Sequence, residues 1–391
     1  MKILFISLQY IHAARWINQL KDAGHDIYVF DCLDKPIHKD LEWTNAITNW
    51  SKRKLPYVRL ETIIEKKSPL IYDKVIPFLK VTASEKISEI IKDIQPDLVH
   101  SLEMQSQTYN VLKAKLKYNF KWAYFSWGSD LYHYQKDNYQ KKKIKNVLAN
   151  LDYFFADNSR DYNIAANLNF KGKKMPVFPG GGGYNIKELN QYKKPFKERN
   201  LILVKGYDHW AGKSLKVLEA FRLIINQIRD FDIYFYSAHK HVSDKIDEFN
   251  KEFNLNINYS HRHNELPQEE LFKKFGKAKI AIGNNITDGI PNTLLEAIIL
   301  GAFPIQSNPG GVTEDYILDG ENGLLINNPL NNVEIADKIL FAINNEEMLV
   351  DAFKMNALKA NNLEYNSIKE KVLKVYNDIE IEIKKEKQLN E

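Results

Sequence analysis

Two carboxylates, Asp288 and Glu296, bracket a proline-led helix start in the stretch Asn284-Asn285-Ile286-Thr287-Asp288-Gly289-Ile290-Pro291-Asn292-Thr293-Leu294-Leu295-Glu296-Ala297. Pro291 suits the first turn of a helix, where its missing N–H costs nothing. The amides of Asn292, Thr293 and Leu294 then point out of the helix N-terminus, a ready anion site. An acid on each side, Asp288 beside Gly289 in the loop and Glu296 inside the helix, can hold hydroxyls on either side of a bound diphosphate. The same spacing suits a strand–loop–helix whose acids merely cap and solvate.

Other polar groups fall at the ends of apolar runs. Pro96-Asp97-Leu98-Val99-His100 reads as a buried strand that delivers His100 and Glu103 to its C-terminal end, where open α/β sheets bind ligands. Trp127-Gly128-Ser129-Asp130 follows the strand Lys121 to Ser126, and Asn158-Ser159-Arg160-Asp161 opens a helix after the strand Asp152 to Ala156. For His100 and Asp130, a core or capping role competes with catalysis. The loop after Leu201 to Val204, Lys205-Gly206-Tyr207-Asp208-His209-Trp210-Ala211-Gly212-Lys213, carries two lysines.

These residues need a frame of alternating strands and helices. The chain opens with a strand at Ile3 to Ile6, a helix from His12 to Ala23 and a strand at His25 to Phe30; a helix at Ala83 to Ile94 and a short strand at Met175 to Phe178 follow. The first loop, Ser7 to Ile11, has no glycine, which speaks against a dinucleotide fold with Asp31 on a ribose. Residues 34–80 are the least regular part and mix aromatic with basic residues; they read as loops and short helices over a sheet edge, or as a groove for an acceptor. Four glycines, Gly180 to Gly183, mark a hinge or backbone lying against a ligand. The domain boundary is expected near 185–198, and the alternation that resumes at Leu201 implies two doubly wound α/β domains facing one another across a cleft. Lys385 and beyond read as a frayed tail.

Composition narrows the class. With 391 residues, 44% hydrophobic and 27% charged, the chain is an ordinary globular protein of two or three domains. Its net charge of +5 does not call for nucleic acid. The lysine runs Lys52-Arg53-Lys54, Lys141-Lys142-Lys143 and Lys171 with Lys173-Lys174 suit an anionic membrane if they gather on one side. The single cysteine, Cys32, excludes an internal disulfide and fits a reducing cytoplasm. The apolar run after Met1 is too short for a signal peptide, and no stretch is apolar enough to predict a transmembrane helix.

Taken together, these motifs resemble the GT-B glycosyltransferases, specifically the large retaining group known as family 4. The resemblance rests on Asp288, seven residues, Glu296, then Gly301, Phe303-Pro304-Ile305 and Gly310-Gly311-Val312-Thr313-Glu314. Upstream it includes Leu266-Pro267-Gln268-Glu269-Glu270-Leu271, His12-Ala13-Ala14-Arg15-Trp16, Gly24-His25-Asp26-Ile27 and Gly128-Ser129-Asp130. It implies a GT-B fold of two Rossmann-like domains: 1–190 for the acceptor, 198–365 for the nucleotide sugar, and 366–391 as a C-terminal helix and tail.

By that resemblance Glu296 binds the ribose hydroxyls, Asp288 the donor sugar, and the amides of Asn292, Thr293 and Leu294 the diphosphate. Gly289 and Gly206 lie on the donor side, and Lys213, ahead of Lys205, neutralises the diphosphate. The family usually has Glu where Asp288 stands, so sugar specificity is expected to differ. The family's glycine-rich first loop is replaced by Ser7 to His12, with His12 or Arg15 as substitutes, and Trp127 stands where many members have His. His100 is expected among the catalytic residues, and Glu103, Asp130 and Arg160 in the acceptor side or cleft.

The implied activity is retaining and, with lysine and helix amides to neutralise the diphosphate, metal-independent. It moves a sugar from a UDP- or GDP-sugar to a saccharide or lipid-linked acceptor in bacterial surface polysaccharide or glycan assembly, with no other cofactor. The expected location is the cytoplasm, at the inner face of the membrane. The alternatives are an epimerase or hydrolase of the same fold and a non-catalytic, nucleotide-sugar-binding subunit; a periplasmic-type binding protein is disfavoured by the missing export signal.

Overall fold

The computed structural model describes residues 1–57, 61–264 and 266–390. They form two compact units, one of residues 1–156, 161–182 and 371 onward, the other of residues 157–160 and 183–370.

The first unit is built on a parallel sheet of seven strands: β1 (Lys2–Ile6), β2 (Asp26–Phe30), β3 (Asn45–Ile47), β4 (Leu98–Leu102), β5 (Lys121–Ser126), β6 (Tyr153–Ala156) and β7 (Lys173–Lys174). Their order is β3-β2-β1-β4-β5-β6-β7. The chain therefore winds outward in both directions from β1, and the order reverses between β1 and β4. Strands such as β4 and β5 are apolar without alternation because helices cover both faces, and β4 is buried along its whole length. The helices include α1 (Ile11–Asn18), α2 (Glu61–Lys67), α3 (Pro69–Leu79) and α4 (Ala83–Ile94). A capping box fixes the start of α4: Thr82 Oγ1 accepts from Glu85 N and the Glu85 carboxylate accepts from Thr82 N.

The second unit repeats the plan with β8 (Leu201–Lys205), β9 (Asp232–Ala238), β10 (Asn258–His261), β11 (Ala278–Gly283), β12 (Phe303–Ser307) and β13 (Leu324–Ile326), all parallel, in the order β10-β9-β8-β11-β12-β13. Here the order reverses between β8 and β11. The loops after those two strands are the switch-point loops of this sheet, where ligands enter open α/β folds.

Several expected boundaries move. The first helix ends at Asn18 rather than Ala23, because Gln19 and Leu20 donate to Trp16 and Ile17 in a tightened turn and Asp22 takes a left-handed φ of 66°. Met175 to Phe178 is not a strand: Met175 N and Phe178 N reach Phe154 O and Ala156 O, but Pro176 lacks the N–H that a continuing ladder needs. The tail is a helix, Tyr365–Asn390, pinned to the first unit by ion pairs from Lys387 to Asp97 and from Lys121 to Glu386. The division between units falls inside the glycine tract, ahead of 185–198. Gly182 (φ 72°) lies against Gln19 and the Arg15 carbonyl, and Gly183 (φ 87°) against the Leu363 carbonyl, so both positions combine a left-handed turn with close backbone approach.

Candidate functional site

In the second unit, the two switch-point loops are bound to each other. Lys213 N donates to Asn284 O (2.8 Å), Ile286 N to Ala211 O (2.9 Å) and Asn284 Nδ2 to Lys213 O (3.1 Å). The loop from β8 turns at Gly206, where a Cβ would sit 2.7 Å from Ala238 Cα; only glycine lets the ends of β8 and β9 approach this closely. Asp208 then accepts from Leu215 N (3.0 Å) and caps the helix Ser214–Leu223.

After β11 the chain enters the helix Asn292–Leu300. Pro291 is its N-cap and not its first helical residue, and Leu294 N already donates to Pro291 O (2.9 Å). The Leu294 amide is thus spent on the turn, and Asn292 and Thr293 alone open the helix ahead of the ladder. Residues 294–300 are all buried, Glu296 among them at 5% exposure. Thr293 and Glu296 stand three residues apart and share a helix face. Tyr236, at the end of β9, meets that face: its hydroxyl bonds the Thr293 side chain, and burial pushes its phenol well up, with the Glu296 charge adding to the effect.

Asp288 is half-buried. Its carboxylate accepts from Gly289 N (3.0 Å) and Asn285 Nδ2 (3.0 Å). Burial raises its pKa above the ordinary carboxylate range, while Lys205 and Arg160 pull it back. Lys205, which the sequence ranks second, is therefore the lysine whose charge reaches Asp288. The Lys213 ammonium instead donates to His209 O (2.6 Å).

Arg160, expected on the acceptor side or in the cleft, belongs to the second unit. Its guanidinium, 8% exposed, donates to Pro309 O (2.7 Å) and to Asp288 O (3.0 Å). Asp157 accepts from Ile290 N (3.1 Å) on the other side of the same loop. Arg160 and Asp157 are positioning residues for the loop that carries Asp288. Gly310 and Gly311, with φ of 69° and 81°, turn the chain after β12, where Glu314 is held by Asn308 (2.7 Å).

Sequence reasoning missed a cationic cluster around the β8 loop. The Arg262 guanidinium lies 4.2 Å and the Lys205 ammonium 4.8 Å from the centre of the Tyr207 ring. Burial lowers the pKa of His209, and the charges of His239, Arg262, Lys205 and Lys213 add to that shift. Three buried polar atoms here lack a partner: Arg262 Nη1, Ser214 Oγ and Asn284 Oδ1. Unsatisfied buried polar atoms are costly and mark places where a ligand completes the bonding. The only advance signal was the run His261-Arg262-His263 at the end of β10.

The first unit gathers His12, Arg15, Trp127, Asp130 and Glu103 near the C-terminal ends of β1, β4 and β5. His12 is exposed and sets its ring edge-on to half-buried Trp127 at 6.4 Å. Arg15 is half-buried on α1. Glu103, with φ 71°, accepts from Gln105 N (2.8 Å) and Ser106 N (2.7 Å) and so caps its own turn. Asp130 accepts from Met104 N, Trp127 N and Tyr124 Oη (3.0, 2.9 and 2.6 Å); burial and the Glu103 charge push it up to about 7. These bonds make Glu103 and Asp130 anchors of the loops around them.

His100 does not reach the strand end. Strand β4 begins later than expected, which leaves His100 in mid-sheet, fully buried and packed against Phe5 and Phe155. Trp16 Nε1 donates to Tyr376 Oη (3.1 Å), which in turn lies 2.7 Å from His100 Nδ1. The other ring nitrogen, Nε2, is buried and without a partner. Burial lowers its pKa to about 3. His100 is thus a core histidine, and a catalytic role is withdrawn.

The shift carries a pH prediction. Between pH 6.5 and 3 the unfolded chain binds a proton on this residue that the folded chain does not, so His100 costs stability as pH falls. Asp130, raised in the folded state, acts in the opposite sense between about pH 4 and 7, which masks the effect in the wild type. His100→Asn keeps an acceptor for Tyr376 and removes the titration. Relative to wild type it should gain about 2 kcal/mol of unfolding free energy between pH 7 and 5, read by urea titration.

Among the described residues no cluster of three or more His, Cys, Asp or Glu is placed to hold a metal ion, and no helix is long and apolar enough to cross a membrane.

The sequence matches two family models, "Glycosyl transferase 4-like" over residues 2–158 and "Glycosyl transferases group 1" over residues 186–360. Among solved structures the chain is similar to a glycosyltransferase from Rickettsia africae ESF-5, at 18% identity and a TM-score of 0.68, over 97% of this chain and 98% of that one. It is similar to the lipopolysaccharide outer core galactosyltransferase WaaB in its apo form (15%, 0.69, 98% and 99%). It also resembles Alr3699/HepE from Anabaena, solved in complex with UDP-glucose (10%, 0.66, 97% and 100%). At these identities the likeness concerns the fold. No curated protein matches the sequence.

Proposed function

The chain belongs to the family-4-like glycosyltransferases of the GT-B fold, and we propose that it moves a sugar from a nucleotide-diphosphate sugar to a hydroxyl of a saccharide or lipid-linked acceptor. The observation that carries this reading is the joined pair of switch-point loops, with Lys205 opening one, Arg262 reaching it from the end of β10, and the helix start at Asn292 and Thr293 on the other. Cations beside a helix N-terminus suit a diphosphate. The UDP-glucose complex of the Anabaena protein supports a nucleotide sugar as donor, and the likeness to WaaB supports an acceptor in surface glycan assembly.

In this reading Glu296 accepts hydroxyls of the ribose and Asp288 hydroxyls of the sugar. Lys205, Arg262 and the helix start stabilise the negative charge that gathers on the departing diphosphate, without a metal. The bond between the anomeric carbon and the phosphate oxygen breaks as the acceptor oxygen bonds to that carbon from the same face. Attack on that face retains the configuration, and the acceptor's proton passes to the leaving phosphate. Asp288 is one methylene shorter than Glu, which leaves room for a different hydroxyl pattern on the sugar. The setting is the cytoplasm, in contact with an anionic membrane.

Incubation of the enzyme with labelled UDP- and GDP-sugars and a membrane-lipid or oligosaccharide extract tests the reading. Label should enter the acceptor fraction only when extract is present. Equal release of free sugar without extract would make the protein a hydrolase, and an altered sugar still on its nucleotide an epimerase.

A further inference from the structure

Two histidines hold the loop that follows β8, and both do so as hydrogen-bond acceptors. His209 lies in the loop itself: its Nδ1 accepts from Ala211 N (2.9 Å) and Gly212 N (3.3 Å), while its own backbone N donates to Gly212 O (3.0 Å). His239, the residue after β9, accepts from Asp208 N on Nδ1 (3.0 Å). The two rings meet edge to face with their centres 5.5 Å apart. A backbone N–H only donates, so Nδ1 of each ring carries no proton and each neutral ring keeps its proton on Nε2. The segment held in this way is the one that Ala211 O and Lys213 N bond to the loop after β11.

The surroundings account for the residue type. Lys205, Lys213, Arg262, His241 and His263 act on these rings from the β8 loop and from the residues after β9 and β10, and Asp208 opposes them. On the same elements Lys240 is paired with Asp244, and His261 lies against the Tyr259 ring. Burial lowers the pKa of both His209 and His239, and the cationic neighbours lower it further, so both rings are neutral near pH 7. A carboxylate at either position would accept the same amides, but its charge would repel an anionic ligand beside the loop. A neutral imidazole accepts without that repulsion.

We propose that His209 and His239 are positioning residues for the donor diphosphate, which hold the β8 loop in its binding shape as uncharged acceptors and release it in acid. A proton that enters Nδ1 sets N–H against N–H, at Ala211 and Gly212 for one ring and at Asp208 for the other, and the loop loses these bonds. Because the folded rings titrate below the ordinary histidine value of 6.5, the hold is complete above that pH and is lost as the pH falls beneath it. The inference deepens the proposed donor site and rests on it.

Calorimetric titration of the full-length chain with UDP between pH 8 and pH 5 tests this, with GDP as the probe if UDP does not bind. His209→Asn and His239→Asn put a side-chain carbonyl where Nδ1 stood and remove the titration; His209→Gln and His239→Gln carry the carbonyl past that point. At pH 8 each Gln variant should bind about tenfold more weakly than its Asn counterpart. From pH 8 to pH 5 the wild type should weaken about tenfold more than the double Asn variant, a ratio from which the titration of the nucleotide's own phosphate cancels. Without ligand, the amide NMR signals of Asp208, Ala211 and Gly212 should move with an acid titration in the wild type and not in the double Asn variant. The same pH dependence in both proteins would overturn the proposal. So would a wild type that gains on the Asn variant in acid, which is what attraction of the diphosphate by imidazolium charge predicts. Binding of neither nucleotide at pH 8 would remove the donor reading and this inference with it, whereas binding without the pH difference would remove this inference alone.

Discussion

Replacing Glu296 by Gln should weaken binding of the donor nucleotide sugar about 100-fold while leaving the fold intact. The carboxylate is 5% exposed in a helix that is otherwise apolar from Leu294 to Leu300. In the proposed function this carboxylate accepts from two hydroxyls of the bound ribose. Bonds to a charged group contribute about 1.5–3 kcal/mol each. Loss of the charge against two hydroxyls therefore costs about 3 kcal/mol, which is roughly 100-fold at 1.4 kcal/mol per decade. Gln fills the same space, so the melting temperature should move by no more than about 2 °C. Calorimetric titration of the two proteins with the preferred nucleotide sugar measures the first effect and a thermal melt the second. Equal affinities would remove Glu296 from the site.

Replacing Arg160 by Met should act in a different way, lowering stability and donor affinity together. The guanidinium gives N–H groups to the carbonyls of Asp288 and Pro309, so it joins the loop after β11 to the loop after β12. Met would leave two largely buried carbonyls without donors, at about 1–3 kcal/mol each. The expected loss is about 2–5 kcal/mol from the second unit, or roughly 5–15 °C in its melting transition. Arg160→Lys should recover only part of this, because one ammonium lacks the planar fork that serves both carbonyls. A melt of either variant unchanged from wild type would show that the loop does not depend on Arg160.

What the sequence revealed and what it hid follow from the range of the interactions. The stretch from Asn284 to Ile305 was legible because strand, loop, helix and strand follow one another locally, and Gly301 ends the helix with a left-handed φ of 81°. The loop-joining role of Arg160 was hidden because its partners lie far along the chain and its segment joins the second unit, which no local pattern records. His100 was misread by register: with β4 at Leu98–Leu102, the histidine sits in mid-strand instead of at its end. The ranking of Lys213 above Lys205 depended on where each ammonium points, a side-chain property invisible to spacing. Arg262 comes to the Tyr207 ring through the pairing of β10 with β9, a tertiary contact that a strand-ending His-Arg-His run only hints at.

The central claim, that the joined switch-point loops of the second unit hold a nucleoside diphosphate, is tested most directly by thermal melts of the wild-type protein with UDP, GDP, ADP and their sugars. One nucleoside diphosphate and its sugar should stabilise the protein by roughly 2.7 kcal/mol at 100 times the dissociation constant, and Lys205→Ala should diminish that shift. No stabilisation by any of these nucleotides at millimolar concentration would contradict the account.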